Sequence, residues 1–314
     1  MKRFIINSTV IILLLGAVSV ILNYAYRNII KRDSTNQIID KQFNDNLNRI
    51  SILFMGDSHI MNGVDCRIIP NSFNYATGEE STIQNYYRLK SIIDSGFVPD
   101  TIIINIDPAT FSSFRLKKIK HSEYWVDKIN YFEIAKTLRD RSFYVKWLGG
   151  KYFSFVGNYH IFLRYFLTKK KQRNPVYLGY KPRYENFAND MNRKSAGIDR
   201  ANLYLKNYNV LSPSLTIYFE KFLSLCDSNN IKLFVIKMPL SMEYLNGVKR
   251  LINIDNYYND VLQMLNNHPS YVGIFDFQEI FLEHPEYFHN PDHLNDTGAK
   301  ILSGYIKEEI KKTK

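Results

Sequence analysis

Short apolar runs separated by helical patterns organise most of this chain. Five of them have the mainly apolar make-up of strands buried on both faces of a parallel sheet, and they lie at residues 50–55, 72–76, 101–106, 231–237 and 271–276. Between these runs, apolar residues recur at helical spacing, over 79–95, from Ser212 onward and after Asp296, which we expect to cap the last helix. Alternating strands and helices predict a three-layer α/β fold with a parallel sheet. Ligands of such sheets bind at the carboxyl ends of the strands.

Residues 108–210 interrupt this alternation. The region is rich in aromatic and basic residues, as in SEYWVDKINYF and RSFYVKWLGGKYF. We interpret it as an insertion between the third and fourth strands, near the edge of the sheet where the site is expected. It is a substrate-binding lid, a structural cap over the sheet, or both. The sequence thus predicts one α/β domain over 50–314 that carries this insertion and follows a polar tether at 33–49.

Residues 4–26 contain no charge. A helix of this length can cross a hydrocarbon core of about 30 Å, and Lys2 and Arg3 before it favour a cytoplasmic N-terminus. No small-x-small cleavage site follows at a convincing distance, so we expect an uncleaved signal anchor within residues 1–32 rather than a cleaved signal peptide. The protein is then a single-pass protein of the cytoplasmic membrane, with its C-terminal domain outside.

The composition and the distribution of charge limit the classes of binding partner that we expect. The formal net charge is +11 over 314 residues, but the basic residues are scattered apart from runs at 115–120 and 169–173. No nucleic-acid-binding signature accompanies them, so we expect a basic surface near an acidic envelope or polymer and no nucleic acid. The two cysteines, Cys66 and Cys226, fit no metal site, and no disulfide can be argued from them.

Neither a phosphate-binding loop nor a metal site is expected. No glycine-rich loop is followed by a lysine. His289 and His293 have the spacing of one helical turn, but Pro291 between them breaks any helix. The sequence therefore predicts no cofactor and no metal.

Polar clusters follow the predicted strands. Gly56, Asp57, Ser58 and His59 come directly after the first strand, and a second cluster at 289–299 precedes the last helix. A serine followed far downstream by a histidine suits a hydroxyl nucleophile with a general base. The alternative is that Ser58 only caps a helix, since serine is a preferred N-cap residue. Asp57 is expected to fix the turn by binding backbone N–H groups.

The motifs GDSH at 56–59 and DHLNDTGA at 292–299 resemble those of the SGNH/GDSL hydrolases. Membrane-associated variants that move acyl groups on cell-surface polymers are the most similar, among them polysaccharide O-acetyltransferases and teichoic-acid D-alanylation proteins. The resemblance covers roughly residues 50–107 and 211–312. It implies a flavodoxin-like sheet, with Ser58 as nucleophile and His293 as base.

The same resemblance implies an oxyanion hole made by the N–H groups of Ser58 and Gly78 and by the side chain of Asn105. The usual Gly-x-Asn spacing is absent at Asn105, so this residue either serves as the third donor or faces the core, with Asp107 in the donor position.

The resemblance also implies an acidic residue that binds the histidine, and the sequence leaves two candidates for it. The family's acid lies three residues before the histidine, where this chain has Asn290, and Asp292 is adjacent to His293 in the sequence. Asp292 can serve only if the turn at Pro291 folds it back, and we expect it to be a weak or absent partner. His59 either lines the pocket or packs against the start of the helix, and we favour packing.

These patterns, together with the resemblance, predict a membrane-anchored extracytoplasmic serine esterase or O-acyltransferase, with acetyl as the expected acyl group, that acts on cell-surface polysaccharide or another acylated polymer. The alternative is a catalytically decayed protein of the same fold that binds glycan or serves as a scaffold subunit for a membrane acyltransferase.

Overall fold

The computed structural model describes residues 2–29, 34–117, 123–154, 175–206 and 211–313. The chain divides into two compact units, one formed by residues 1–38 and 120–173 and the other by residues 39–119 and 174–314. We call them the helical unit and the sheet unit. The division differs from the predicted boundaries, because the insertion is shared between the two units.

Helices account for most of the described residues. In chain order they are α1 (Lys2–Ile29), α2 (Thr35–Asn46), α3 (Ser58–Gly63), α4 (Thr82–Asp94), α5 (Ser113–Lys117), α6 (Glu123–Val126), α7 (Tyr131–Thr137), α8 (Ser142–Tyr152), α9 (Arg193–Leu205), α10 (Pro213–Ser228), α11 (Met242–Lys249), α12 (Ile254–Leu265) and α13 (Asp296–Lys312). The sequence patterns had indicated α1, α4, α10 and α13. Helices α11 and α12, between the last two strands of the sheet, were not predicted.

Five parallel strands form the sheet, as predicted. They are β1 (Ile52–Met55), β2 (Ser72–Asn74), β3 (Thr101–Asn105), β4 (Lys232–Lys237) and β5 (Tyr271–Asp276), in the order β2-β1-β3-β4-β5. This is the strand order of flavodoxin-like folds. A small antiparallel hairpin of β6 (Phe288–Asn290) and β7 (His293–Leu294) precedes α13.

Both faces of the sheet are buried. Ile52 and Phe54 of β1 share one core with residues of α3 and α13. Leu53 and Met55 alternate with them, are fully buried and point to the opposite face, since successive side chains of a strand point to opposite sides. The predicted three-layer α/β class is confirmed, and its apolar runs reflect this double burial.

Two local predictions need correction. Within the predicted tether, α2 (Thr35–Asn46) packs inward: Ile39 and Phe43 are buried, because their i,i+4 spacing places both on one face. The Phe43 ring stacks on Tyr75 with centroids 4.4 Å apart. The last helix is capped by Asn295 rather than Asp296: its side chain accepts a hydrogen bond from the Gly298 N–H at 3.1 Å.

Helix α1 has the length and composition of a membrane span. Its mean hydropathy reaches 2.5 in an 18-residue window, none of which is buried within the protein. A signal sequence has the same properties, so the length and hydropathy of α1 are shared by an uncleaved anchor of either orientation and by a cleaved signal peptide.

Candidate active site

Ser58 lies at the carboxyl end of the strand β1, as predicted, at the first residue of α3. It does not cap this helix. Asp57 is the N-cap, and its Oδ1 accepts a hydrogen bond from the His59 N–H at 2.9 Å. Gly56 makes the turn with φ of +133°, and a Cβ there would lie 1.9 Å from Oδ1 of Asn105. Only glycine fits this position, and the turn leaves the Ser58 hydroxyl free to meet the second polar cluster.

His293 meets Ser58 from the β6–β7 hairpin, 235 residues further along the chain. Its Nε2 lies 2.7 Å from the Ser58 Oγ. A neutral imidazole in this geometry accepts the serine proton, which is the arrangement required of a nucleophile and its general base. The structure therefore brings together the two residues singled out by the sequence.

The other ring nitrogen of His293 has two oxygen neighbours. Nδ1 lies 3.0 Å from Oδ1 of Asp292 and 3.0 Å from Oδ1 of Asn290. The Asn290 oxygen also accepts the backbone N–H groups of Asp292 and His293 at 3.1 and 3.0 Å. Asn290 thus closes the turn around Pro291. Asp292 supplies a fully buried carboxyl.

The expectation that Asp292 is a weak or absent partner does not agree with this geometry. Adjacent side chains of an extended segment point apart, but the tight turn closed by Asn290 brings the Asp292 carboxyl back to the ring.

His59 bridges three carboxyl groups. Its Nδ1 lies 2.9 Å from Asp57 and 3.2 Å from Asp107, and its Nε2 lies 3.5 Å from Asp292. Its ring also stacks on His293, with centroids 4.5 Å apart and planes inclined by 6°. The residue is buried, as packing against the helix start requires, but it also contacts the catalytic candidates directly. Proximity in the sequence to Ser58 was the only signal of this role.

The buried carboxylates are matched by cations. Arg115 of α5 forms an ion pair with Asp57 and lies 3.9 Å from Asp107. Arg200 of α9 places its Nε 3.3 Å from Asp292. Carboxylates without such partners are costly to bury. Two arginines against three carboxylates leave room for one more positive charge, which a protonated His59 supplies.

The surroundings of the two stacked histidines shift their pKa values in opposite directions. Burial would lower the pKa of His59, but Asp57 and Asp107 outweigh it and raise the pKa well above its usual value. Burial lowers the pKa of His293, and the charge of His59 lowers it further, against the opposing effect of Asp292. The charged ring is thus held beside a ring that stays neutral and able to accept a proton.

Asn105 does not match the predicted third oxyanion donor. Its Nδ2 donates to Asp57 at 3.2 Å and to Asp107 at 3.0 Å, and its Oδ1 accepts the Asp57 N–H at 3.2 Å. Both amide hydrogens are used, because Asn105 is buried at the end of β3 between these two carboxyls. It fixes the turn together with Asp57, and the expected turn-forming role of Asp57 agrees with this network.

Gly78 lies in the loop after β2, the strand next to β1 in the sheet. A Cβ at this glycine would lie 3.7 Å from the Met61 methyl group of α3. The loop is held by a buried group in which Thr77 donates to Glu80 at 2.5 Å and Arg88 pairs with Glu80. The loop is therefore anchored beside the helix that Ser58 begins, and the oxyanion role of Gly78 stays a prediction.

Among the residues that the structure describes, two groups of side chains are close enough to hold a metal ion: His59, Asp292 and His293, and Asp57, His59 and Asp107. Neither fits one well. Arg115 and Arg200 already lie against the carboxylates, and a cation there would be repelled by both guanidinium groups. The donor set forms a charge network with its own cations.

Arg115 and Arg200 are the site residues that the sequence analysis missed. Both belong to the 108–210 insertion, within the sheet unit. A signal existed: three aspartates placed after strand ends need buried cations if they are ionised. Which of the 41 basic residues supply them depends on how the insertion folds.

The solved structures similar to this chain include two from Bacteroides species. A protein of Bacteroides fragilis predicted to be an acylhydrolase is 12% identical, with a TM-score of 0.41 over 90% of this chain and 98% of its own. A GDSL-like lipase of Bacteroides thetaiotaomicron is 10% identical, with a TM-score of 0.39 over 90% of this chain and 100% of its own. No family model matches the chain, and no curated protein gives a significant match. Likeness at this level carries no argument about activity, so the function proposed below rests on the geometry of the chain itself.

Replacing His59 by glutamine is expected to move the acid limb of the kcat/KM–pH profile to higher pH. His293 must be neutral to act as a base, so activity is lost as pH falls through its lowered pKa. Removing the charge of His59 raises that pKa again. The profile is measured with a short-chain aryl acetate.

The matched control for this change is His268→Gln. His268 contacts Glu220 and Asp227 and has no contact with His293, so its replacement should leave the profile in place. An acid limb that is the same in His59→Gln and wild type would contradict the tuning of His293 by His59.

Proposed function

We propose that this protein is a membrane-anchored serine esterase or O-acyltransferase of SGNH type, which acts outside the cytoplasmic membrane on acylated cell-surface glycans. The observation that carries the proposal is the 2.7 Å contact between the Ser58 Oγ and the His293 Nε2. It joins the two motifs that resemble this family, and His293 is in addition backed by the Asp292 carboxyl.

In the proposed reaction the Ser58 Oγ attacks the carbonyl carbon of an ester, forming a C–O bond as the oxygen's proton moves to His293 Nε2. The tetrahedral oxyanion is stabilised by backbone N–H groups, with Ser58 and Gly78 as the proposed donors. His293 then gives the proton to the leaving alkoxide as the ester bond breaks. Water or a sugar hydroxyl attacks the acyl-serine by the same steps in reverse and releases Ser58.

The glycan is proposed from chemistry around the site. The chain has a net charge of +11, which suits an acidic polymer. Near the site, the aromatic residue Tyr204 lies beside Arg200, its hydroxyl accepting a hydrogen bond from Nη1 at 3.0 Å. Aromatic rings provide flat apolar faces on which sugars can stack. Arg200 is 28% exposed and so remains within reach of an anionic group.

A serine-reactive fluorophosphonate tests the proposal directly. The purified full-length protein in detergent should be labelled covalently on Ser58, identified by peptide mass spectrometry. Ser58→Ala should abolish labelling, whereas the matched surface change Ser224→Ala should not affect it. Failure to label the folded wild-type protein, together with no turnover of aryl acetates, would favour the alternative of a decayed binding or scaffold protein.

The anchor is tested separately. If α1 remains attached and spans the membrane, the full-size protein should stay in the membrane fraction after a carbonate wash. Its C-terminal domain should be cut by protease added to spheroplasts, with a cytoplasmic protein as the control for intact membranes. Recovery of a shortened, soluble form would show that α1 is a cleaved signal peptide.

A further inference from the structure

Helix α8 of the helical unit turns apolar side chains outward. Tyr144, Val145, Leu148 and Tyr152 are 40%, 71%, 46% and 48% exposed. At 100° per residue they fall within an arc of about 100° on one side of the helix. Phe143 on the opposite side is buried. An outward helix face of a water-soluble unit is normally polar, so these exposed apolar side chains favour an apolar environment on the outside.

Helix α7 extends this face. Phe132 is 50% exposed, and its ring centroid lies 5.2 Å from that of Tyr144 and 5.1 Å from that of Trp147. The ammonium group of Lys151 lies 5.3 Å from the Trp147 ring centroid. Tryptophan and tyrosine together with lysine make up the belts of membrane proteins at the level of the lipid headgroups, where the rings meet the hydrocarbon and the charges meet water.

The position of α8 along α1 agrees with that level. Asn23 of α1 is buried in the helical unit, and its Nδ2 donates to the Lys151 carbonyl at 3.3 Å. Arg27 pairs with Asp127 at 3.3 Å. From Phe4 to Asn23 a helix rises about 29 Å, which matches a hydrocarbon core of about 30 Å. Helix α8 therefore contacts α1 where the apolar span ends.

We propose that α7 and α8 form a second membrane contact, in which Phe132, Tyr144, Val145, Leu148 and Tyr152 lie in the headgroup region of an anionic bilayer. We call these five residues the interfacial surface. Residues 131–154 contain five basic and two acidic side chains, a balance that favours anionic lipid. The inference rests on the proposed membrane anchor, and it assigns part of the insertion to the lipid rather than to the substrate.

A single labelled cysteine tests this contact in the full-length protein. The native thiols of Cys66 and Cys226 are buried, and burial raises the pKa of both, so a maleimide should react selectively with an added exposed cysteine. Val145→Cys carries an environment-sensitive fluorophore on the interfacial surface. Leu203→Cys, 55% exposed on α9 in the sheet unit, is the reference. Both proteins are reconstituted into vesicles of phosphatidylcholine and phosphatidylglycerol in equal amounts.

Phospholipids brominated near the headgroup should quench the label at position 145 several-fold more than they quench the label at position 203, and aqueous iodide should quench it less. Changing Leu148 to glutamate in the labelled Val145→Cys protein should reduce the quenching by bromine. As a matched charge control, Val272→Glu, at a β5 residue that is 52% exposed, should not.

The other outcomes separate the two proposals. If the protein floats with the vesicles but iodide reaches the label and bromine does not, the interfacial surface is wrong and the anchor stands. A label protected from both quenchers would also overturn the lipid contact, because protein then covers the surface. Failure to float with vesicles at all would overturn the anchor and this inference together. Circular dichroism of each variant identifies any that fail to fold.

Discussion

Ser58→Ala is expected to lower the hydrolysis of short-chain aryl acetates by about 10³-fold or more, the loss typical of a nucleophile that acts within a catalytic unit. The physical reason is that the Ser58 Oγ, 2.7 Å from the His293 Nε2, is the atom that would form the acyl-enzyme bond in the proposed reaction. Initial rates of the purified full-length protein in detergent measure the change.

The double variant Ser58→Ala, His293→Ala gives a sharper test. Residues that act as one unit are non-additive, so removing His293 after Ser58 should cost little more. Ser224→Ala, an exposed serine on α10, should retain the wild-type rate. Equal rates for wild type and Ser58→Ala would leave Ser58 as a structural residue at the start of α3.

Asp292→Asn is expected to lower kcat by about 10²- to 10⁴-fold, as loss of the carboxylate behind a catalytic histidine generally does. An amide there cannot stabilise the imidazolium that forms when His293 takes the serine proton, and it can hold the ring in the wrong tautomer. Asp292 is fully buried with its Oδ1 3.0 Å from the ring, so its charge acts with little screening from water.

Asn290→Asp separates the two candidate partners. If Asn290 were the only group behind His293, a carboxylate at this position should raise turnover. If Asp292 already holds that role, as the geometry indicates, the same change should do little or should slow the enzyme, because it places a second negative charge near the first. Asp276→Asn, at an aspartate whose side chain is 52% exposed in a pair with Lys237, controls for a general effect of charge. A wild-type rate in Asp292→Asn would reduce the site to a Ser–His pair.

Much of the fold of the sheet unit could be predicted from the sequence, because strands that are buried on both faces form continuous apolar runs. Apolar runs such as 101–106 can be strands of a covered parallel sheet, and the polar residues that end them mark the edge where a site forms. Helices α11 and α12 were not predicted, although the buried residues Ile254, Tyr258 and Val261 of α12 recur at helical spacing. The predicted tether failed for a related reason: Ile39 and Phe43 are two isolated apolar residues in a polar segment, and only their packing on the sheet unit makes them a buried face.

The sequence by itself determined the apolar span at the N-terminus, the α/β alternation and the candidacy of Ser58 and His293, since each depends on residue type and local spacing. Only the tertiary structure decided how the charges of the site are shared. Asp292 turns back to His293 because Asn290 closes the loop. The amide of Asn105 is hydrogen-bonded to Asp57 and Asp107. His59 lies between carboxylates whose charge Arg115 and Arg200 help to neutralise. These partners come from distant parts of the chain, and a buried charge depends on every group packed around it, which local sequence does not specify.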